Sequence, residues 1–160
     1  MHRDLIQTCI FGLGILSKRM PPGSYPLNEV LAAIQWIYSM EFKKERGLRA
    51  ECCENATTAL ANCVYFQGEN IPQLAQVVEQ GLLAKLPLTT DTEEAPVTHA
   101  QFLSQIIANN SHLMKPEHIA GIKGAVERIN QVSTDKPELE ILSDEGKQLL
   151  AQAVQVLSAM

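Results

Sequence analysis

The stretch ENATTALANCVYF, residues 54–66, decides the fold because its central small–large–small triplet, Ala59-Leu60-Ala61, recurs along the chain. The related triplets are Gly12-Leu13-Gly14, Phe102-Leu103-Ser104 and Leu149-Leu150-Ala151. Their central leucines and Leu60 are separated by 47, 43 and 47 positions. Two-helix solenoid repeats have periods of roughly 40–47 residues, so this spacing predicts an all-α fold built from repeated helical pairs.

The rest of the sequence divides into seven predicted helices separated by short polar or Pro/Gly breaks. Helices one to four are predicted over residues 2–18, 27–41, 48–66 and 71–86; helix five follows TTDT, helix six begins near Pro116, and Ser143 caps helix seven. Repeats of this size are HEAT-type, so we predict a right-handed α-solenoid of HEAT repeats with a period of 43–47 residues, one array over residues 1–160. The alternative is a plain helical bundle with coincidental spacing.

The composition is that of a globular chain with one full-sized core. Hydrophobic residues make up 46%, charged residues 19% and aromatic residues 5%, so the core must come mostly from Leu, Ile, Val and Ala. The net charge is −5, and the richest basic stretch, residues 42–49, also contains Glu45, which argues against direct nucleic-acid binding. We predict that this mixed-charge stretch is a solvated loop. No apolar run approaches ~18 residues, so no membrane span is expected.

The cysteines give no sign of a metal or disulfide site. Cys9, Cys52, Cys53 and Cys63 form no CxxC pair, and none has a histidine at zinc-ligand spacing. We predict buried, inert thiols in a reducing compartment, with no metal and no cofactor.

Polar residues follow one face of helix three at the spacing i, i+4, i+7 and i+11. The same kind of stripe recurs 43 positions later on helix five, whereas helix one matches only in its first half. We therefore predict that helices three and five lie side by side and present a continuous surface to an extended partner. A simple solvated face is the alternative. The candidate partner-binding residues are Glu51, Asn55, Thr58, Asn62, Glu94, Thr98, Gln101 and Gln105.

Three acids and a histidine fall close together before and within helix five: Asp91, Glu93, Glu94 and His99. Such a group could serve as an acid–base or metal site. On a helix, however, Glu94 and His99 lie about 140° apart round the axis and do not share a face. We predict that His99 is packed and assign no catalytic residue.

The acids have a simpler role at the start of helix five. Asp91 or Thr92 can accept hydrogen bonds from the free N–H groups of the first turn, where acids also favour the helix dipole. Pro96 is tolerated only in a first turn, so we expect the regular helix to begin nearer Glu94 than Asp91, or to be kinked.

By its triplet, helix one corresponds to the second helix of a two-helix repeat. The first helix of that repeat is missing, which would leave an apolar flank of helix one uncovered. We therefore expect the chain to be a C-terminal fragment, monomeric on its own, of a longer solenoid that extends N-terminally. On helix two, Trp36 and Tyr38 are predicted to pack between repeats; the alternative is an exposed aromatic docking site for a partner.

Three segments in this order resemble the last HEAT repeats of importin-beta family karyopherins, in the importin five (karyopherin beta three) subfamily: QTCIFGLGILSKR (7–19), ENATTALANCVYF (54–66) and KLPLTTDTEEAPVTHAQFLSQI (85–106). The resemblance covers nearly the whole chain and includes LSDEGKQLLAQAVQVL (142–157). LPLTTDTEEA is its most specific piece, whereas Pro96 and the loop STDKPELEI depart from the family pattern.

The resemblance implies a nuclear transport receptor that is not an enzyme and shuttles between cytoplasm and nucleus. Such receptors bind cargo proteins and the GTPase Ran through inner helices and Phe-Gly nucleoporins through outer helices, and RanGTP releases import cargo. The main Ran contacts of the family lie in N-terminal repeats that are absent here. Asn55 matches an inner-helix asparagine of the kind that grips an extended peptide backbone.

Two other functions are compatible with the sequence. The first is a HEAT-repeat scaffold of another complex, such as a phosphatase regulatory subunit or a chromosome-organising protein. The second is an all-α enzyme that uses His99 and the nearby carboxylates.

Overall fold

The structure is a computed structural model that describes residues 3–21, 23–40 and 46–160. Within these ranges all regular secondary structure is helical, which confirms the predicted all-α class. The predicted helix ends at residues 2 and 41, and the basic stretch up to residue 45, lie outside the described residues. The helices are α1 (Arg3–Ser17), α2 (Leu27–Ser39), α3 (Arg46–Gln67), α4 (Leu74–Gln76), α5 (Glu94–Ile107), α6 (Ile119–Asp135) and α7 (Asp144–Ser158).

The fourth predicted helix differs in type from its prediction. Only α4 is α-helical, and the chain continues as a π-helical segment over Val77–Leu82 and a 3-10 turn over Leu83–Lys85. A π-helix has wider turns than an α-helix, so the side chains that follow it point in different directions from those that a 3.6-residue period predicts. The start of α6 is likewise extended by a 3-10 turn, Pro116–His118.

The chain forms two compact units, Met1–Leu74 and Ala75–Met160. In the first unit, α1 and α3 pack along their length and run parallel. Gln7 near the start of α1 donates to the Glu51 carboxylate (3.3 Å), and Gln67 at the end of α3 donates to the Ser17 carbonyl at the end of α1 (2.8 Å). Because the contacts follow the same order along both helices, α1 and α3 run in the same direction, as expected for helices that the 47-residue spacing relates.

Helix α2 completes the first unit through an apolar stripe. Its buried residues recur every three or four positions, which places them on one face of the helix. The Tyr38 hydroxyl lies 2.9 Å from the Thr57 hydroxyl of α3, and burial raises the pKa of Tyr38 to about 12. The buried stripe consists of Leu27, Val30, Ile34 and Ile37.

The second unit repeats the parallel arrangement. The Arg128 guanidinium of α6 donates to the carbonyls of Leu83 (2.7 Å) and Leu86 (3.1 Å), while Gly121, earlier in α6, lies against Glu79, earlier in the π-helical segment. The segment and α6 therefore run in the same direction. Helix α5 packs against α7, and the core of this unit contains Phe102, Leu103, Ile106, Ile122, Ile129 and Ala153.

The central leucines of the repeat occupy the core in three of four cases. Leu60 and Leu103 are buried, as the spacing of the triplets predicts, and Leu150 is buried as well. Leu13 is only half-buried and lines an open apolar groove between α1 and α2.

The two glycines of α1 have different surroundings. A Cβ atom on Gly14 would lie 2.8 Å from the Ala59 Cα atom of α3, so the helix backbones approach closely there. Gly12 has no such neighbour, because a Cβ atom there would meet nothing within 4 Å. Gly14 is required by packing inside the unit, and Gly12 is not.

We therefore expect opposite effects from two identical substitutions. Gly12→Ala should raise the free energy of unfolding by about 0.5–1 kcal/mol, because alanine favours the helix and meets open space. Gly14→Ala should lower it by about 1–3 kcal/mol, because α1 must move away from the α3 backbone. Urea unfolding of both variants measures the difference; an equal change in the two would contradict the described α1–α3 packing.

Candidate functional site

The polar stripe on α3 is much less exposed than the sequence suggests. Asn55, Thr58 and Asn62 are all buried, so the prediction of an exposed surface at these positions is wrong. Short polar side chains can satisfy their hydrogen bonds on their own helix, which permits burial. Asn55 does so, since its side-chain amide donates to the Glu51 carbonyl (3.1 Å).

The stripe on α5 is accessible in part. Thr98 is buried, which is again contrary to an exposed stripe. Glu94, Gln101 and Gln105 are half-buried, and the Gln105 side-chain oxygen accepts a hydrogen bond from the Asn110 amide (2.8 Å). With half-buried Glu51 of α3, four of the eight candidate residues keep side-chain surface that a partner can touch.

The acids before α5 cap the helix. One carboxylate oxygen of Asp91 accepts hydrogen bonds from the backbone N–H groups of Glu93 (3.2 Å) and Glu94 (3.0 Å). The helix begins at Glu94, and Pro96 is its third residue, inside the first turn where the N–H groups have no helical partner. The capping prediction is confirmed for Asp91, and Pro96 causes no conflict.

His99 is fully buried, as predicted, and joins two chain segments to α5. Its Nδ1 atom donates to the Ile141 carbonyl (2.8 Å), and its Nε2 atom accepts from the Leu88 backbone N–H (3.0 Å). This pattern fixes the neutral tautomer, and burial lowers the pKa of His99 to about 4. Both nitrogens are occupied and the ring is 0% exposed, so the histidine that the enzyme alternative requires cannot reach a substrate.

None of the four cysteines forms a disulfide within the described residues, and they are not uniformly buried. Cys52 and Cys63 are buried, and burial raises the pKa of the Cys63 thiol. Cys53 is half-buried, and the prediction of a buried thiol is wrong for Cys9, which is exposed. Cys9 projects from the side of α1 that lines the groove with α2, rather than from the side that packs against α3.

An open apolar groove of about 230 Å³ runs between α1 and α2. Leu5 and Trp36 at its rim are 60% and 45% exposed, so Trp36 does not have the inter-repeat packing predicted for it. The groove is apolar and open, and residues of α1 form more than half of its lining. The groove is lined by Leu5, Ile6, Cys9, Ile10, Leu13, Ala33, Trp36 and Ile37.

A larger cavity of about 460 Å³, with both charged and apolar lining residues, lies in the second unit. The sequence did not predict it. It lies where the start of α5 meets the connection from α6 to α7, and both lysines and acids line it, among them Lys136, Glu140 and Lys147. Residues outside the regular helices build most of this cavity, so no periodic pattern signals it.

Neither a membrane-spanning helix nor a metal site is present within residues 3–21, 23–40 and 46–160. No helix there is long and apolar enough to cross a bilayer. No group of three or more His, Cys, Asp and Glu side chains is placed to hold a metal ion in the same ranges.

The described residues form an all-α protein. In the first unit α1 and α3 run parallel, and in the second unit the π-helical segment and α6 do so. The chain is similar to importin subunit beta-3 of Saccharomyces cerevisiae, with 31% identity over 99 residues. The match covers 61% of this chain but 9% of the yeast protein, so the similarity is partial and distant. No protein-family profile and no solved structure matches the chain. The similarity indicates a relationship to the importin-beta family.

Proposed function

We propose that this chain is a C-terminal part of a nuclear transport receptor of the importin five (karyopherin beta three) subfamily. Its function is to carry protein cargo through the nuclear pore by non-covalent, Ran-regulated binding, which requires shuttling between cytoplasm and nucleus. The observation that carries the proposal is the 31% identity to importin subunit beta-3 over 99 residues. The partners are cargo proteins, Ran and Phe-Gly nucleoporins of the full-length receptor.

The helix packing supports a segment of a longer right-handed HEAT solenoid. Parallel packing of α1 with α3, and of the π-helical segment with α6, is what stacked two-helix repeats require. The apolar groove between α1 and α2 gives a further helical pair a surface on which to stack. Under this proposal the groove is covered in the full-length receptor.

The accessible part of the stripe suits an extended, basic partner. Glu51 and Glu94 supply negative charge, Gln101 and Gln105 supply amides that both donate and accept hydrogen bonds, and the net charge of the chain is −5. The accessible residues of the α3 stripe and those of the α5 stripe are the proposed contacts, each on its own unit. The buried members, Asn55 among them, would then support the helices rather than touch the partner.

A double charge reversal tests this surface. The variant Glu51→Lys with Glu94→Lys should weaken binding of a fluorescent Lys/Arg-rich peptide by about tenfold or more, because two attractive contacts become repulsive. The control variant, Glu69→Lys with Glu138→Lys, makes the same change of net charge at exposed positions outside the stripe. Fluorescence anisotropy at constant salt measures both; equal losses would show a general charge effect and contradict the assigned surface.

A further inference from the structure

A buried polar contact joins the π-helical segment to the start of α6 in the second unit. His118 is fully buried, and its Nδ1 atom lies 3.4 Å from the Oε1 atom of Glu79, too far for a good hydrogen bond. Glu79 Oε1 is buried, and neither it nor either ring nitrogen of His118 has a hydrogen-bond partner. Unpartnered buried polar atoms destabilise a fold, and a proton on Nδ1 donated to Oε1 would satisfy two of these three atoms.

Gly121 has no side chain, and this leaves room for the Glu79 carboxylate. A Cβ atom on Gly121 would lie 2.6 Å from Oε2 and 2.9 Å from Oε1 of Glu79, so no other residue at position 121 leaves the carboxylate where it is. Gly121 is the third residue of α6, where the helix dipole favours a negative charge. Glu79 lies within Val77–Leu82, and π-helical turns of this kind recur at functional positions in proteins.

We propose that Glu79 and His118 form a proton-operated clasp, which fixes the π-helical segment to α6 when His118 is protonated. Imidazole is the side chain that ordinarily changes charge between about pH 5 and 8. The imidazolium donates from Nδ1 to Glu79, and a charge-assisted bond of this kind draws the two atoms to about 2.7–2.9 Å. With neutral His118 the contact has no charge pairing, and the segment opens more often.

Other ionisable groups near this contact do not pair with His118. Arg128 of α6 is bound to the carbonyls of Leu83 and Leu86, and Lys85 of the 3-10 turn is exposed. Glu117, adjacent to His118 in sequence, is also exposed. The other lysines on these elements are Lys115, before the 3-10 turn, and Lys123, in α6; both are half-buried. Glu79 is therefore the charged group that pairs with a protonated His118 in this proposal.

Amide hydrogen exchange of the whole chain between about pH 8 and about pH 6 tests the clasp. After correction for the intrinsic exchange rate, protection of the Leu83 and Leu86 amides should rise about tenfold or more as the pH falls, the effect of one charge-assisted hydrogen bond. Glu79→Gln keeps the size of the side chain and removes its charge, and should abolish this rise. Glu117→Gln removes a neighbouring exposed charge and should leave the rise intact.

Two results of the hydrogen-exchange experiment would overturn the clasp. One is a protection that does not change with pH in the unmodified chain; the other is a rise that survives Glu79→Gln. Protonation of His99 cannot produce this rise in amide protection. It destabilises the fold as the pH falls, so its effect has the opposite sign. Nuclear magnetic resonance of the His118 ring assigns the proton directly, since ring signals that do not shift over this range would equally contradict the clasp.

Discussion

Replacing Phe102 by alanine should lower the free energy of unfolding by about 3–5 kcal/mol. Phe102 is on the face of α5 turned to the core, and its side chain is 0% exposed. The loss combines the transfer free energy of the ring with the cavity that it leaves among close-packed neighbours. Domains are commonly stable by only about 5–15 kcal/mol, so this one change removes a large share of the total.

Val97 on the same helix provides the matched control. It is 61% exposed, so Val97→Ala should change the free energy of unfolding by no more than about 0.5 kcal/mol. Urea unfolding followed by circular dichroism measures both variants, and an unchanged slope with denaturant shows that the two transitions are comparable. A Phe102→Ala loss as small as that of Val97→Ala would contradict the described orientation of α5.

Acid should destabilise the fold by about 3 kcal/mol through His99 alone, since each pKa unit corresponds to about 1.4 kcal/mol. The pKa of His99 is about 4 in the fold, against 6.5 for an ordinary histidine. The folded state therefore binds this proton less readily than the unfolded state. Stability is fully present above pH 6.5 and is lost as the pH falls from there to about 4.

His99→Gln separates this effect from the titration of carboxylates. Glutamine can hydrogen-bond to the Leu88 N–H and the Ile141 carbonyl but takes up no proton, so the variant should be less stable at neutral pH and lose less on acidification. The free energy of unfolding of both proteins, measured by urea titration from about pH 7 to about pH 4, gives the comparison. Parallel curves for the two proteins would contradict a buried, neutral His99.

The helix ends were predictable wherever a local chemical signal marks them. Ser143 caps α7 by accepting from the Gly146 N–H (3.1 Å), and the pairing of Asp91 with a proline in the first turn located the start of α5 near Glu94. The 43- to 47-residue spacing also predicted the burial of Leu60 and Leu103, but it failed for Leu13, which is half-buried beside an open groove.

Burial of polar groups was not predictable, because it depends on neighbours distant in sequence. Asn62 and Thr98 read as surface residues from their polarity, yet both are buried. The contact of Glu79 with His118 depends on a π-helical turn and on Gly121, which lie about 40 residues apart and have no common sequence pattern. The exposure of Cys9 depends on what covers α1, and the sequence of α1 does not specify that.

Affinity purification of the protein expressed from its own gene tests the central proposal most directly, with and without Ran locked in its GTP-bound form. A transport receptor should co-purify with Phe-Gly nucleoporins and with a set of cargo proteins, and RanGTP should remove the cargo. A scaffold of another complex should instead co-purify with the same partners, such as a phosphatase catalytic subunit, in both conditions. Partners that include no nucleoporin and do not respond to RanGTP would contradict the transport-receptor assignment.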